Sequence, residues 1–266
     1  MRYNIACLFL FISLSVTASR IDTIDVYSGA MDKNIKTTVI TPDNESVTAF
    51  PVVYLLHGYG GNEMSWIHSK ANIPLLADQF QVIIVCPDGK NSWYWDSPKD
   101  SSYKYETFIS KELITYIDFN YPTIPSKEKR AITGLSMGGH GAMWNAIRHT
   151  DIFGAVGSMS GGVDIRPFPK NWEMNKQLGE AQENQELWEN HTVINQLNKL
   201  KKEELAMIID CGTDDFFFTV NNNFHQALLD KKLDHDYIVR PGKHNWEYWV
   251  NAIVYQLLFF KRHFDS

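Results

Sequence analysis

The sequence predicts an α/β fold in which helices cover both faces of a doubly wound, mostly parallel β-sheet. Strand-like and helix-like stretches alternate along nearly the whole chain, a pattern that favours parallel strands joined by helical crossovers. Residues 51–56 are a continuous apolar run, and residues 81–86 are apolar after Gln81, which is typical of strands buried on both faces. Residues 134–138 fit the G-x-S-x-G pattern of a strand-to-helix turn with a serine at its apex. We therefore expect one α/β domain over residues 19–266.

The other elements follow from the same hydrophobic patterns. An early antiparallel pair is predicted at residues 21–27 and 35–41, with further strands at residues 131–133, 153–160, 205–211 and 236–240. Helical spacing of apolar residues predicts helices at residues 64–80, 105–121, 140–149, 220–229 and 246–264. In the first of these helices the side chains predicted to be buried are Trp66, Ile67, Leu75 and Leu76. The polar stretch 161–204 predicts a small helical insertion over the site.

The composition is that of an ordinary globular protein with a mild negative charge. The 266 residues are 44% hydrophobic, and the formal net charge is −6 without any block of like charges. Such a chain lacks a face that would neutralise phosphates, so we do not expect nucleic acid as a partner.

The N-terminal residues have the pattern of a secretory signal rather than of a folded element. Arg2 gives a positive start, residues 5–16 are apolar apart from two serines, and residues 16–18 have the small-residue pattern of a cleavage site. This run of about 12 apolar residues falls short of the ~20 that span a bilayer. We predict a signal peptide at residues 1–18, a secreted or periplasmic protein and no stable membrane insertion; the alternative is an uncleaved anchor.

Export would permit disulfide bonds, but Cys86 and Cys211 are expected to lie far apart. Each of them ends an apolar strand-like run. In the predicted sheet three other strands lie between these two, a separation of about 19 Å at ~4.8 Å per strand. A disulfide requires Cα atoms within about 7 Å. Both thiols are therefore expected to be free and buried, with no part in catalysis.

Ser136 is the candidate nucleophile. A serine on so sharp a turn has strained backbone geometry, and side chains two positions before and after it would collide. Gly134 and Gly138 remove that collision. A helix begins at Met137, so its amide and the helix dipole face any negative charge that forms beside Ser136. The alternative is a glycine-rich turn with an incidental serine.

A glycine-rich loop, residues 57–61, directly follows the predicted strand at residues 51–56. Glycines let backbone amides approach a ligand closely, and in enzymes with a nucleophile elbow the loop at this place supplies the second amide of the oxyanion hole. We therefore predict that the amides of Tyr59 and Met137 form an oxyanion hole. His57 is expected to be neutral and to hold the loop by hydrogen bonds; the alternative for it is a role in proton transfer.

A serine hydroxyl needs a base that takes its proton, and the base needs a carboxylate that fixes its tautomer and stabilises its cation. In the elbow architecture the acid follows the serine, and the histidine follows the acid. His244 is the candidate base, because it lies in the turn after the last strand, at the sheet edge where the serine emerges. Asp214 and Asp215 both lie in a turn after an earlier strand, and Asp215, deeper in that turn, is the favoured acid. Asp210 lies within its strand and is expected to be structural.

An aromatic cluster follows the predicted strand at residues 81–86. Trp93, Tyr94 and Trp95 lie in a turn-rich segment after the C-terminus of a strand, where binding loops of this architecture occur. We predict that they, together with Trp246 beside the His244 turn, form a wall that stacks a sugar or an aryl group. The alternative is a surface loop that its aromatic side chains hold in place.

Four short motifs stand in order along the chain: Leu55-Leu56-His57-Gly58, Gly134-Leu135-Ser136-Met137-Gly138-Gly139, Cys211-Gly212-x-x-Asp215-Phe216 and Gly242-Lys243-His244-Asn245-Trp246-x-x-Trp249. Together they resemble the esterase D / putative esterase family of α/β-hydrolases. That family includes S-formylglutathione hydrolases, feruloyl and acetyl-xylan esterases of carbohydrate esterase family one, and mycolyltransferases of the antigen 85 type. The resemblance covers nearly all of the chain after residue 18. It implies an α/β-hydrolase fold, a triad of Ser136, Asp215 and His244, and oxyanion donors at Tyr59 and Met137.

The resulting prediction is an exported serine carboxylic-ester hydrolase that works through an acyl-enzyme without a metal or organic cofactor. The polar insertion argues against triacylglycerol, because a lipase lid would carry an apolar face, and export argues against S-formylglutathione, a cytosolic thioester. Aromatic side chains near the site favour feruloyl or acetyl esters of plant polysaccharide as substrate. The alternatives are an acyltransferase of the mycolyltransferase type, a small-molecule or S-formylglutathione-type acyl esterase, and a non-catalytic carbohydrate-binding protein.

Overall fold

An eight-stranded sheet organises the part of the chain that the structure, a computed structural model, describes, namely residues 19–44 and 46–266. The predicted signal peptide at residues 1–18 lies outside the described residues. The strands are β1 (Arg20–Ser28), β2 (Lys33–Thr41), β3 (Val52–Leu56), β4 (Ile83–Pro87), β5 (Arg130–Gly134), β6 (Ala155–Met159), β7 (Ala206–Gly212) and β8 (Asp236–Arg240). Their order in the sheet is β1-β2-β4-β3-β5-β6-β7-β8.

The sheet is mostly parallel, as the alternation of elements predicts. β1 and β2 pair antiparallel, as do β2 and β4, whereas all pairs from β4 to β8 are parallel. The chain leaves β3 toward β4 on one side and returns to β5 on the other, so the C-terminal ends of β3 and β5 lie side by side. In doubly wound sheets such a switch point is where ligands bind. The predicted α/β fold is therefore confirmed.

The central strands are continuous apolar runs because both of their faces are covered. Every residue of β3, β4, β5 and β6 is buried, whereas exposed and buried residues alternate at the C-terminal end of the edge strand β1. Successive residues of β3 belong to two different apolar clusters. Since successive side chains of a strand point to opposite faces, the core consists of two layers, one on each side of the sheet.

The helices are α1 (Ile73–Phe80), α2 (Tyr105–Thr107), α3 (Ile114–Asn120), α4 (Met137–Arg148), α5 (Met174–Leu178), α6 (Gln185–Asn190), α7 (Phe218–Asp230) and α8 (Trp246–Phe264). A π-helical segment, Phe108–Leu113, joins α2 to α3 without a break, which confirms a helix across nearly all of residues 105–121. Short 3₁₀ helices lie at Lys127–Lys129 and Val193–Lys199. Within residues 19–44 and 46–266, no helix has both the length and the apolar character that crossing a membrane requires.

The predicted helix at residues 64–80 is wrong in its first half. Residues 63–71 form turns, and α1 begins only at Ile73. Asn72 has a left-handed backbone with φ 50°, and a proline stands in the first turn of α1, which together set the start of the helix. Of the side chains predicted to be buried, Trp66 and Leu76 are, whereas Leu75 is 57% exposed and Ile67 is half-buried.

The two cysteines of the described chain are free and buried, as predicted. Cys86 lies in β4 and Cys211 in β7, and three strands separate the two in the sheet. Burial raises the pKa of both thiols, so neither is a thiolate near neutral pH.

Residues 160–205, between β6 and β7, form the longest excursion from the sheet. They contain α5, α6 and the 3₁₀ helix Val193–Lys199. Met174, Leu178 and Trp188 are buried members of the main core cluster, and the indole of Trp188 donates a hydrogen bond to the Gly179 carbonyl over 2.9 Å. The excursion is therefore packed onto the domain by apolar anchors although its composition is polar.

Candidate active site

Ser136 lies at the apex of a sharp turn between β5 and α4. Its backbone has φ 55° and ψ −118°, a combination that L-residues rarely adopt, so the turn is strained. A Cβ atom at Gly134 would lie 2.6 Å from the backbone of Gly138, and one at Gly138 would lie 2.6 Å from the carbonyl oxygen of His57. The predicted reason for glycine at both positions is therefore confirmed.

Ser136, His244 and Asp215 form one chain of hydrogen bonds. Nε2 of His244 lies 2.8 Å from Oγ of Ser136, and Nδ1 of the same ring lies 3.0 and 2.9 Å from the two carboxylate oxygens of Asp215. Because a carboxylate can only accept, we assign the ring proton to Nδ1, which leaves Nε2 to accept from the serine hydroxyl. This arrangement can pass a proton from a hydroxyl to an imidazole.

Among Asp210, Asp214 and Asp215, only Asp215 has its carboxylate within hydrogen-bond distance of the imidazole. It is buried, and one of its oxygens also accepts a hydrogen bond from the amide of Phe217 over 2.7 Å. Asp214 is exposed. Asp210 is fully buried elsewhere, where it accepts a hydrogen bond from Arg240 over 2.7 Å and where burial raises the pKa of its carboxyl.

The glycine-rich loop after β3 lies against the serine turn. A Cβ atom at Gly58 would lie 3.5 Å from Cβ of Ser136 and 2.5 Å from a methyl group of Leu135. The amides of Tyr59 and Met137 donate no hydrogen bond to any group within residues 19–44 and 46–266. Two backbone donors are thus available on the two loops that meet at the serine, and Met137 is the first residue of α4, where the helix dipole favours negative charge.

His57 is buried below this loop and holds it by hydrogen bonds. Its Nε2 accepts from the amide of Gly89 over 2.8 Å, so its proton lies on Nδ1, which donates to the carbonyl of Gly58 over 2.7 Å. A carboxylate oxygen of Asp88 lies 3.6 Å from the same Nε2, beyond hydrogen-bond length. Both ring nitrogens are therefore engaged with backbone groups, as expected for a structural histidine.

His140 is likewise not available for proton transfer. It is fully buried on α4, its Nδ1 lies 2.9 Å from the Gly162 carbonyl, and its ring stacks on Trp144 at 6.1 Å between centroids. Burial lowers the pKa of His140 to about 3. The imidazole is therefore uncharged near neutral pH and belongs to the core.

The prediction that Trp93, Tyr94 and Trp95 form an exposed wall of the substrate site is wrong. Their exposed fractions are 1%, 0% and 0%. Trp93 and Tyr94 have left-handed φ values of 57° and 62°, and their side chains face the core. A Cβ atom at Gly141 would lie 2.4 Å from the Tyr94 ring, so a glycine of α4 makes room for that ring. Their burial agrees with the alternative, in which the aromatic side chains hold the segment in place.

Trp246 lies at the start of α8 and is 38% exposed. Its ring packs edge-on against Trp66 and Trp249, with centroid distances of 5.1 and 5.6 Å. It lines a groove of about 640 Å³ together with Ser65, His68, Ser69, Lys70, Glu247 and Val250. Its contact with substrate stays a prediction.

The aromatic surface that flanks His244 comes from Phe216 and Trp172, for which the sequence predicted no contact with substrate. The ring of Phe216 is 52% exposed, and its centroid lies 4.1 Å from that of the His244 ring. Trp172, from the excursion between β6 and β7, stacks on Phe216 at 5.8 Å and an interplanar angle of 23°. The available signal was the position of Phe216 directly after the favoured acid; no local signal pointed to Trp172.

A polar cleft of about 380 Å³ adjoins the loop after β3. Its lining residues are Gly60, Gly61, Lys90, Asn91, Asp100, Tyr103, Glu173, Lys176 and Gln177. Most of these side chains carry charges or hydrogen-bonding groups, so the cleft suits a hydroxyl-rich molecule better than an apolar one. Across residues 19–44 and 46–266, no three histidine, cysteine or acidic side chains cluster closely enough to hold a metal ion.

The sheet order, the serine at a strand-to-helix turn and the histidine after the last strand define the class of α/β-hydrolases. Within that class the chain belongs to the putative esterase family, whose sequence model matches residues 28–260. The matched range includes all four motifs of the sequence analysis. The resemblance stated there is confirmed.

Several relatives match the chain over most of its length. An acetyl esterase of Caldicellulosiruptor saccharolyticus is 28% identical over 262 residues, which cover 87% of this chain and 94% of that protein. An S-formylglutathione hydrolase of Bos taurus is 23% identical over 245 residues, which cover 83% and 85%. Among solved structures, a ferulic acid esterase has a TM-score of 0.80 at 30% identity and covers 93% of this chain and 99% of that one.

Proposed function

We propose that this chain is a serine carboxylic-ester hydrolase that works through an acyl-enzyme on Ser136. His244 is its general base and acid, and Asp215 orients His244. One observation carries the proposal: the 2.8 Å contact between Ser136 Oγ and His244 Nε2, in a ring whose other nitrogen is held by the Asp215 carboxylate. Membership of the putative esterase family supports the same reaction class.

In the first half of the reaction, Ser136 Oγ attacks the carbonyl carbon of the ester while its proton moves to Nε2 of His244. The carbonyl oxygen becomes an oxyanion, which the amides of Tyr59 and Met137 stabilise. One such donor is worth about 10²–10³ in rate. The bond between the carbonyl carbon and the alkoxy oxygen then breaks, and Nε2 returns the proton to the departing alcohol.

In the second half, water takes the place of the alcohol. His244 Nε2 removes one proton from the water as its oxygen attacks the acyl-enzyme, and the same proton returns to Ser136 Oγ when the ester bond to the enzyme breaks. The products are a carboxylic acid and the original enzyme. Every proton in this cycle is carried by His244, so no further acid or base is required.

The proposed substrates are feruloyl or acetyl esters of plant polysaccharide, cleaved outside the cytoplasm. Relatives named acetyl esterase and ferulic acid esterase support the acyl groups. The polar cleft beside the loop after β3 and the exposed Phe216 ring support a carbohydrate alcohol. Export is inferred from the apolar run at residues 5–16; the protein recovered from medium or periplasm is expected to begin at Ser19.

The catalytic part of the proposal is tested by labelling with a fluorophosphonate, which reacts with activated serines. The wild-type protein and the matched control Ser101→Ala, at an exposed serine, should both be labelled, whereas Ser136→Ala should not. Ser136→Ala should also lower kcat for p-nitrophenyl acetate by about 10⁶-fold. Ester hydrolysis that survives Ser136→Ala unchanged would refute the assignment.

The substrate part needs a separate assay. Arabinoxylan and acetylated xylan are incubated with the enzyme, and released ferulate and acetate are measured. Release of neither acid by a protein that cleaves p-nitrophenyl acetate would refute the polysaccharide substrate while leaving the esterase mechanism intact. An added acceptor alcohol that receives most of the acyl groups would instead identify an acyltransferase.

A further inference from the structure

We propose that Phe216 and Trp172 form a platform on which a sugar ring of the alcohol part of the substrate stacks beside the departing oxygen. This inference rests on the proposed ester hydrolysis and adds the residues that select the alcohol. It also replaces Trp93, Tyr94 and Trp95, whose burial removes them from contact with substrate.

The platform is an exposed aromatic surface next to the reacting imidazole. Phe216 is 52% exposed, and its ring centroid lies 4.1 Å from that of His244. Trp172 extends this surface, because it stacks on Phe216 at 5.8 Å with only 23° between the ring planes. Large apolar side chains that remain exposed side by side commonly mark a binding surface.

Neighbouring aromatic side chains, a strained turn and one hydrogen bond hold the platform in place. Trp172 packs against Phe168 at 5.6 Å and against the buried Phe217 at 5.2 Å. Trp172 and Glu173 both have left-handed backbones, with φ values of 50° and 53°, a strained turn that persists only where surrounding contacts enforce it. Glu173 accepts a hydrogen bond from the Tyr59 hydroxyl over 3.1 Å. This bond connects the turn to the glycine-rich loop after β3.

The path of the transferred proton indicates that this surface contacts the alcohol part of the ester and not the acyl part. Nε2 of His244 must reach the alkoxy oxygen at about 3 Å to protonate it, so the group attached to that oxygen lies on the His244 side. Phe216 lies on that side, whereas the amides of Tyr59 and Met137 face the carbonyl oxygen. A pyranose or furanose ring presents a face of C–H bonds, whose hydrogens match the negative face of an aromatic ring.

The test compares esters that share an acyl group and differ in the alcohol. The substrates are methyl ferulate, feruloyl arabinose, methyl acetate and acetylated xylose. Phe216→Leu keeps apolar bulk beside His244 but removes the aromatic face, and Phe216→Trp restores an aromatic face. Phe119→Ala, at an 88% exposed ring on α3, is the matched control.

For Phe216→Leu we expect kcat/KM of each sugar ester to fall about tenfold relative to the methyl ester of the same acid, as for loss of one aromatic contact. The fall should be mainly in KM, and Trp172→Ala should act in the same direction. Phe216→Trp should restore the wild-type ratio of kcat/KM for the sugar ester to kcat/KM for the methyl ester. Phe119→Ala should leave it unchanged. An unchanged ratio in Phe216→Leu would overturn the proposal. Equal losses for both ferulate esters, with both acetyl esters spared, would overturn it too, by assigning the platform to the acyl ring.

Direct binding separates this inference from the proposed function. Binding of xylotetraose, which carries no ester, is measured by calorimetry for the wild type and for Phe216→Leu. Weaker binding to the variant, by about tenfold, is expected. If the wild type cleaves no sugar ester but shows this difference in binding, the proposed substrate fails and the platform stands. No binding to the wild type, or equal binding to both proteins, overturns the platform.

Discussion

Both carboxylate oxygens of Asp215 lie within hydrogen-bond distance of Nδ1 of His244, at 3.0 and 2.9 Å. Asp214, its immediate neighbour, is exposed and makes no such contact. The chain therefore contains two adjacent aspartates of which only one can fix the tautomer of the imidazole. This difference makes Asp214 a matched control for Asp215.

Asp215→Asn should lower kcat for p-nitrophenyl acetate by about 10⁴-fold, because an amide at this position favours the wrong tautomer of His244. Asp214→Asn should keep kcat within a few-fold of the wild type, since that side chain faces solvent. Steady-state kinetics on the two purified variants checks both statements. Equal losses in the two variants would contradict the assignment of the acid.

The serine turn should tolerate no side chain at Gly138. A Cβ atom there would lie 2.6 Å from the carbonyl oxygens of Leu56 and His57, and these backbone atoms cannot swing away. Gly138→Ala should therefore lower the free energy of unfolding by about 3 kcal/mol or more, at the upper end of overpacking costs. In the control, Gly29→Ala, the new atom would lie 3.5 Å from a Glu112 oxygen, an ordinary contact. Urea unfolding of both variants measures the difference, and equal stability would show that the turn has room.

Trp95 should matter for stability rather than for substrate affinity. It is fully buried, and its indole donates a hydrogen bond to Gln177 over 2.6 Å. Trp95→Ala should lower the free energy of unfolding by about 3–5 kcal/mol, as for other buried aromatic truncations. Chemical denaturation tests this. If the Trp95→Ala protein had wild-type stability and a raised KM for sugar esters, the result would instead support the prediction from the sequence that Trp95 contacts substrate.

Glu106 should make the protein sensitive to acid. It lies on α2 and is buried, and it accepts hydrogen bonds from Trp144, Arg148 and His149 over 2.8, 2.7 and 2.9 Å. Burial alone would raise the pKa of Glu106, but the hydrogen bonds from His149 and Arg148 outweigh it and lower the pKa to about 2. The folded protein therefore holds this carboxylate ionised where the unfolded chain, with a pKa near 4.5, would take up a proton.

Because the folded pKa is the lower one, the stabilisation by Glu106 is complete above the unfolded pKa and is lost as the pH falls toward 2. The shift corresponds to about 3 kcal/mol. Glu106→Gln should be less stable than the wild type at pH 7, and the difference should shrink as the pH falls from 5 to 3. Urea unfolding of both proteins across this range measures the difference in their free energies of unfolding. The contributions of carboxylates that both proteins share cancel in this difference. A difference that is the same at pH 7 and pH 3 would contradict the lowered pKa.

Local patterns were sufficient for most of the fold. The predicted strands at residues 51–56 and 81–86 correspond to β3 and β4, and the predicted bounds of β8 and α8 agree with the observed Asp236–Arg240 and Trp246–Phe264. These elements depend on periodicity within about ten to twenty residues, which the sequence displays directly. The helix at residues 64–80 failed because the left-handed residue Asn72 interrupts a pattern that continues on both sides of it.

The direction in which aromatic side chains face could not be predicted in the same way. A tryptophan in a turn has the same sequence neighbours whether it faces solvent or core. Trp93 and Tyr94 face inward because of their left-handed backbones and because Gly141, far along the chain, leaves space for the Tyr94 ring. Leu75 shows the converse, an apolar side chain that faces solvent at 57% exposure.

The sequence by itself determined the kinds of groups that this protein brings to its site: a serine on a glycine-bounded turn, a histidine after the last strand and a pair of aspartates after β7. Their types and their places at the ends of strands are local properties, set by hydrophobic period and turn chemistry. Only the tertiary structure decided which aspartate reaches His244 and which aromatic rings flank it. Those neighbours depend on how separate segments pack, as when Trp172, before β7, stacks on Phe216, after β7, and no pattern within one segment records such a contact.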